Sequence, residues 1–300
     1  MKEKPLIGII GQGFVGGNYS DDFEERGYDV VRYALEERYE KNKERIAECD
    51  IVFIAVPTPT VPADTSSKIT KDSSTRFEDT IIRAILPLVG KGKIAVIKST
   101  ILPGTTKKLQ EDFSDIILLM SPEFLRVVTA AHDARNPFSN IIGMPKKTGK
   151  HQRAAEAVHA ILPKASFTLT CDSTEAEVIK YAHNASGYTQ IILFNLLYDV
   201  AKKVGCDWEP ISLAIKADPL ISNYYSNPIH KNGRGAGGAC FIKDVAALRG
   251  LYETLLDDPL GRDVLKAMEA KNIGLLTESK KDLDLLKGVY GDTVIQTYIH

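Results

Sequence analysis

The chain has 300 residues, which is enough to bury a sizeable core and favours two domains over one. Its 38 basic and 39 acidic residues leave a formal net charge of −1, which excludes a long-range positive field that would draw it to nucleic acid or an anionic membrane. Its longest apolar stretches, such as Ile191 to Leu197, fall well short of a bilayer span, and the N-terminus runs straight into a strand pattern rather than a signal peptide, so a cytoplasmic protein is expected.

From Leu6 to Thr170, short runs rich in β-branched residues alternate with amphipathic stretches, the pattern of a parallel sheet with helices on both faces. The predicted strands are Leu6–Ile10, Asp29–Tyr33, Ile51–Val56, Ile94–Lys98, Ile116–Met120, Asn140–Ile142 and Ser166–Leu169. The Thr-, Ser-, Asp-, Lys- and Pro-rich stretch from Pro57 to Asp79 reads as a long mobile loop at the sheet's carboxyl edge. At Asp172 the character changes. Thr174 followed by Glu177 is a capping-box signal, and apolar positions then recur at helical spacing as far as Val204, before Gly205. A helix of that length forms the spine of a second, helical domain. Trp208 to Ala217 predicts another helix, Asp218 to Ala239 an irregular segment, Cys240 to about Glu253 more helix, and the remainder a helical tail. The expected division is 1–171 and 172–300.

Gly11-Gln12-Gly13-Phe14-Val15-Gly16 follows the first strand and opens a helix, the setting in which GxGxxG binds a dinucleotide. The first glycine permits the tight turn, the second lets the pyrophosphate approach the backbone, and the helix N-terminus supplies partial positive charge. The first domain is therefore expected to be Rossmann-type and doubly wound, with NAD as cofactor. Ala34 falls where an acidic residue would hold the adenosine ribose. Glu36 could reach the ribose hydroxyls instead, while Arg32 or Arg38 could accommodate a 2′-phosphate.

The four cysteines, Cys49, Cys171, Cys206 and Cys240, show no CxxC pair and no metal-ligand spacing, so no metal is expected. Cys240 follows the glycine-rich Gly233-Arg234-Gly235-Ala236-Gly237-Gly238 and sits near a predicted helix start, a position that lowers a thiol's pKa. Asp244 shares its helical face. Lys180 and Asn184, spaced i, i+4 on the long helix, could donate jointly to an oxyanion. Thr100 and Glu123 both follow strands at the edge where the nicotinamide should lie. Each feature alone has a plainer reading: a packed cysteine, a solvated helix face, loop residues.

Together, GQGFVG near the start, VPTP at Val56, KSTILPGT at Lys98, SPEFLR at Ser121, EAEVIKYAHN at Glu175 and GRGAGGACFIKD at Gly233 resemble the UDP-glucose/GDP-mannose dehydrogenase family, in the family's order and over nearly the whole chain. The resemblance implies two-step, NAD-dependent oxidation of a nucleotide sugar's C6 alcohol through a covalent thiohemiacetal and thioester. Cys240 would be the nucleophile, Lys180 and Asn184 the oxyanion stabilisers, Asp244 and Thr100 the positioners of a catalytic water, and Glu123 a general acid/base. Cofactor contacts would come from Gly11, Gly13, Phe14, Val15, Gly16, Val56, Pro57, Thr58, Ser99 and Thr100. Substrate contacts would come from Phe124, Leu125, Arg126, Tyr224, Gly233, Arg234, Gly235 and Gly237, and the long helix would build a homodimer.

Three features depart from the family. Arg126 is followed by Val127 and Val128, where a second acidic residue is usual. Nothing after Leu276 is long enough for the family's C-terminal nucleotide-binding domain, so a short form is expected. The ribose acid is absent. Two other readings compete: a two-electron β-hydroxyacid-type dehydrogenase, which needs no thiol, and a non-catalytic NAD-binding subunit.

Overall fold

The computed structural model describes residues 4–62 and 75–298. In chain order the elements begin β1 (Ile7–Ile10), α1 (Phe14–Glu25), β2 (Val30–Tyr33), α2 (Glu37–Glu40), β3 (Ile51–Ile54), β4 (Thr60–Pro62), β5 (Thr75–Phe77), α3 (Thr80–Ile85), β6 (Ile94–Ile97) and α4 (Thr105–Asp112). They continue β7 (Ile117–Met120), α5 (Ala130–Arg135), β8 (Ser139–Met144), α6 (Gly149–Ile161), β9 (Phe167–Asp172), α7 (Ser173–Lys203), α8 (Trp208–Ala217), β10 (Ile229–His230) and β11 (Gly233–Arg234). Four helices close the chain: α9 (Gly238–Leu255), α10 (Pro259–Glu278), α11 (Leu283–Tyr290) and α12 (Val294–Tyr298). The chain divides into two compact units, Met1–Thr58 with Asp79–Lys180, and Pro59–Glu78 with Tyr181–His300.

The first unit is an α/β sheet of seven strands in the order β2-β1-β3-β6-β7-β8-β9. Strands β1, β3, β6 and β7 are parallel and in step, Ile7 facing Ile51, Ile51 facing Ile94 and Ile94 facing Ile117. The apolar runs of β1, β3 and β7 are buried along their whole length, as strands covered on both faces must be. Ile7, Ile9, Phe53, Val96 and Leu119 pack with Phe23 from α1 and Val158 from α6 into one core. All seven predicted strands are present. The sheet is mostly rather than wholly parallel, since β8 meets β7 antiparallel at Met120 and Gly143, and β9 then runs parallel to β8.

The long helix α7 starts where the sequence predicts, with a different cap. The capping pair is Asp172 and Glu175: the Asp172 N–H donates to Glu175 Oε2 at 2.8 Å and the Thr174 N–H to Asp172 Oδ1 at 2.8 Å. Glu177 is fully buried and turned the other way. Its carboxylate accepts from the Gly104 N–H (2.5 Å), the Thr106 N–H (2.8 Å) and the Thr106 hydroxyl (2.6 Å), which pins the first turns of α7 to the start of α4.

The second unit contains the rest of α7 and α8 to α12. Ile242, Ala246, Ile273, Leu276 and Leu286 form one apolar cluster, and Tyr188, Ile192, Ala236 and Leu275 another. Between helices, buried Glu269 accepts from Arg249 and from the Tyr290 hydroxyl. The expected loop over 57–79 is in part a hairpin: β4 and β5 pair antiparallel, Thr60 facing Phe77, and pack against α9 and α11. Residues 63–74, the middle of that expected loop, lie outside the described residues.

Replacing a buried carboxylate that takes three donors leaves all three unpaired. We expect Glu177→Ala to lower the free energy of unfolding by about 3 kcal/mol, and Glu177→Gln, which keeps an acceptor, to lower it less. Urea denaturation of the three proteins measures this, and equal midpoints would show that the carboxylate is no anchor.

Candidate active site

The first unit ends its central strands in a cradle for a dinucleotide. Gly11 has φ +91° and lies so close to β3 that a Cβ would stand 2.3 Å from the Ala55 carbonyl oxygen. A Cβ on Gly16 would stand 1.7 Å from the Gly11 oxygen, so only glycine lets α1 begin this near the turn. Gly13 is different: nothing lies within 4 Å of the place its Cβ would occupy. It caps α1 with no side-chain hydrogen bond, and the first turn carries no acidic residue, so this helix start is fitted to receive a pyrophosphate. Phe14 is 44% exposed beside it, while Val15 packs on the core.

The neighbouring strand ends are tied together by their own hydroxyls. Ser99 Oγ donates to the Val56 carbonyl at 2.7 Å and Thr58 Oγ1 to the Thr100 carbonyl at 2.6 Å, with Pro57 exposed between Val56 and Thr58. At the end of β2, Arg32 is held by Asp21 (2.7 Å) and Glu24 (2.5 Å) and Arg38 lies over the Tyr39 ring, so each of these guanidinium groups is already engaged.

Next to these strand ends, buried Glu123 and buried Lys180 meet. Lys180 Nζ donates to the Glu123 carbonyl at 2.6 Å and lies 3.4 Å from its Oε1, while Glu123 Oε2 accepts from the Leu125 N–H at 2.7 Å. Phe124 lies 5.3 Å beneath the ammonium and 5.3 Å from the Phe138 ring. Arg126 is bound to Asp133 through two nitrogens at 2.5 and 2.9 Å, and that guanidinium holds the Asp133 carboxyl down to about 2. Val127 and Val128 follow it, 72% and 81% exposed.

In the second unit, Asn184 Nδ2 donates to Asp244 Oδ2 at 2.6 Å, and Lys243 pairs with the other oxygen of that carboxylate. Both Asn184 and Asp244 are buried. Cys240 is exposed in the first turn of α9, one turn ahead of Asp244. Burial pushes the Cys49 and Cys171 thiols up to about 11, which makes them poor nucleophiles. Lys180 and Asn184 lie one turn apart on the continuous helix α7.

The glycine-rich segment before Cys240 is packed by the chain itself. Gly238 N–H donates to Asp282 Oδ2 at 2.8 Å, Lys281 Nζ to the Gly235 carbonyl at 2.9 Å, and Asn272 holds both the N–H (2.6 Å) and the carbonyl (3.0 Å) of Ala236. A Cβ on Gly233 would meet Lys281, and one on Gly237 would stand 1.9 Å from Asp282. Arg234 is turned onto α7, with Nη2 2.6 Å from Asp199 and Nε 2.8 Å from Asn195 Oδ1. Tyr224 is 52% exposed and stands edge-on to Tyr225, which packs on Gly187 and Phe241. The sequence reading did not single out Lys98, Asn195, Asp199, Asn272, Lys281 or Asp282. Lys98 alone carried a signal, as the first residue of a motif that was read for its Ser and Thr. Among the described residues no group of three or more His, Cys, Asp or Glu is placed to hold a metal, and no helix is long and apolar enough to cross a membrane.

A Rossmann-type domain with a glycine cradle, followed by a helical domain on a long shared helix, defines a nicotinamide-dinucleotide-binding protein. Residues 34–162 match the NAD binding domain of the UDP-glucose/GDP-mannose dehydrogenase family, and residues 174–272 match that family's central domain. The chain belongs to this family, and its first unit is the family's NAD-binding domain. It is 30% identical over 272 residues to UDP-glucose 6-dehydrogenase YwqF of Bacillus subtilis, covering 88% of this chain and 57% of that protein. It is likewise 30% identical over 213 residues to UDP-glucose 6-dehydrogenase of Rickettsia conorii, covering 69% of this chain and 46% of that protein. The matched region thus spans about half the length of these curated relatives. In fold it is similar to a UDP-glucose dehydrogenase from Pyrobaculum islandicum, with a TM-score of 0.72 and 24% identity, covering 95% of this chain and 71% of the other.

The glycines separate structural from ligand roles. We expect Gly16→Ala to destabilise the protein by about 2–3 kcal/mol through its backbone clash. Gly13→Ala should leave stability unchanged within about 1 kcal/mol yet weaken NAD binding at least about tenfold, or 1.4 kcal/mol. Thermal unfolding paired with NAD titration calorimetry checks both, and unimpaired NAD binding by Gly13→Ala would remove the turn from the cofactor site.

Proposed function

We propose that the protein oxidises the C6 alcohol of a nucleotide sugar, UDP-glucose by default, to the uronate in two NAD-dependent steps through a covalent bond to Cys240. The observation that carries this reading is the pairing of four buried groups, Lys180 with Glu123 and Asn184 with Asp244, together with an exposed thiol one helical turn ahead of Asp244. A two-electron dehydrogenase has no use for that thiol.

NAD, when bound, accepts a hydride in each oxidation. In this reading, a protein base takes the C6 hydroxyl proton as the first hydride leaves, and the resulting aldehyde carbon is attacked by the Cys240 sulfur. The new C–S bond places a negative charge on the former carbonyl oxygen. The Lys180 ammonium and the Asn184 amide are the donors for that charge, both held in place before substrate arrives. Loss of the second hydride turns the thiohemiacetal into a thioester. Hydrolysis then needs one water, oriented by Asp244 and Thr100, with Glu123 passing the proton and the sulfur leaving as thiolate. Overall, one alcohol, two NAD and one water give one carboxylate, two NADH and the released protons. Because Val127 follows Arg126, Glu123 is the carboxylate this segment offers for the hydrolytic step.

The reading extends to assembly. Leu193, Leu196, Leu197 and Val200 on α7, with Val204 directly after it, form an exposed apolar stripe, each 45–67% accessible in the single chain. Such a stripe suits a second copy of the same helix, in a cytoplasmic homodimer.

Two measurements test these proposals. With NAD and limiting UDP-glucose, we expect two NADH per sugar, and a fall in kcat of at least about a thousandfold in Cys240→Ala. One NADH per sugar, unaffected by the substitution, would sink the covalent mechanism. By light scattering we expect the wild type to be a dimer and Val200→Glu a monomer, whereas a monomeric wild type would remove the α7 interface.

A further inference from the structure

The roles proposed above leave one buried cation unused. Lys98 follows β6 directly and is 4% exposed. Among the described residues its Nζ finds only the Ser121 hydroxyl at 3.2 Å and the Ser121 carbonyl at 3.4 Å, and it lies 4.3 Å from the centroid of the Tyr19 ring and 5.9 Å from that of Phe53. Neither hydrogen-bond partner is charged. Two residues beyond Ser121, Glu123 is already held by Lys180.

The ionisable groups that face Lys98 come from three directions. From the β7 side, the Glu123 carboxylate favours its charged form, and from α7 the Lys180 ammonium opposes it. From α1 comes Tyr19, whose phenol is pushed far up by burial and by the charges of Glu123 and Asp22, and which therefore stays neutral; Asp22 is itself paired with Arg26 at 2.6 Å. Two buried ammonium groups thus share one buried carboxylate, which leaves an excess positive charge. Of the two, Lys180 has the carboxylate contact and Lys98 does not. Burial pushes the Lys98 ammonium down to about 8.

We propose that Lys98 is a positioning residue for Glu123: it holds the Ser121 end of the same segment, and its proton sets the total charge acting on the Glu123 carboxylate. The catalytic consequence rests on the function proposed above, but the coupling itself does not. It predicts that activity changes through a proton held about two residues of chain away from the acid/base, not through contact with substrate.

The test is the titration of Lys98 in the whole protein, followed by NMR with 13Cε-lysine and assigned by the signal lost in Lys98→Arg. We expect a midpoint near pH 8 in the wild type, moved lower by about half a unit, a threefold change in proton affinity, in Glu123→Gln. In Lys180→Met it should move higher. A Lys98 midpoint at or above about pH 10, or one that neither substitution moves, would overturn the inference. If Lys98→Arg does not fold, the signal displaced by Glu123→Gln identifies the lysine instead. With nucleotide sugar, the inflection near pH 8 in kcat/KM should vanish in Lys98→Arg, which stays charged, while NAD affinity is unchanged. An inflection that survives in Lys98→Arg would also overturn it. A protein that turns over no nucleotide sugar but shows the coupled Lys98 titration would refute the proposed function and uphold the coupling.

Discussion

The first unit's chemistry depends on where α7 is fixed along its axis and around it, and Glu177 does the fixing. An anchor in the second turn of α7 sets the azimuth of the residues of that helix within the first unit, Lys180 among them. Glu177 accepts from the Gly104 N–H and from the N–H and hydroxyl of Thr106, all at the first turn of α4, and a shift of α7 by one residue would swing its carboxylate about 100° away from all three. The same shift would take Lys180, less than one turn later, off the Glu123 carbonyl. The registry of the helix and the placement of the ammonium are therefore one constraint. The donors belong to a turn that starts at Gly104, whose φ of +91° only glycine takes up without strain.

Glycines serve opposite ends in the two units. Gly13 faces empty space and leaves a helix start open for a ligand. Gly233, Gly235 and Gly237 face Ser279, Asn272, Lys281 and Asp282, so their missing side chains are needed by the chain's own fold. Asp282 reaches the Gly238 N–H at the start of α9 from a left-handed conformation, φ +55°, which costs backbone energy that the hydrogen bond offsets. The segment that precedes Cys240 is thereby held stiffly from the α10–α11 turn. In the proposed mechanism the Cys240 sulfur is thus presented by rigid backbone rather than by a loose loop, which suits attack on a bound carbon.

What the sequence made legible follows from the range of the physics involved. The seven strands and α7 and α8 are readable because burial on both faces or on one stripe writes a period into neighbouring residues. GxGxxG is readable because turn, ligand approach and helix start all fall within six residues. The misread features are those settled by partners far along the chain. Glu177 looked like the second half of a capping box, yet its donors lie 71 and 73 residues away. The partner of Arg234, Asn195, lies 39 residues away and could not be read from the sequence around either. The three-residue strands β4 and β5 are too short to show alternation, and their polar composition reads as loop. Lys98 stood inside a recognised motif, but its significance lies in lacking a charged partner, which only packing reveals.

Buried charges also sort the site from the scaffold. Taking an ion out of water costs several kcal/mol, and the cost is met where every lone pair and proton finds a partner. Glu177, with three donors on two oxygens, and Glu269, with Arg249 and Tyr290, are met in this way, and both serve the fold. Asp244 has one partner on each oxygen and so keeps lone pairs for a water. Lys180 spends its short hydrogen bond on a carbonyl and stands 3.4 Å from the carboxylate, which leaves donor capacity for an oxyanion. Asn184 is oriented by Asp244 through one amide proton and retains the other. Asp244, Lys180 and Asn184, each with hydrogen-bonding capacity left over, are groups that the proposed chemistry needs. A site that must bind a transient negative charge has to keep donors unsatisfied in its resting state, and the fold bears that instability because carboxylates elsewhere in it are fully engaged.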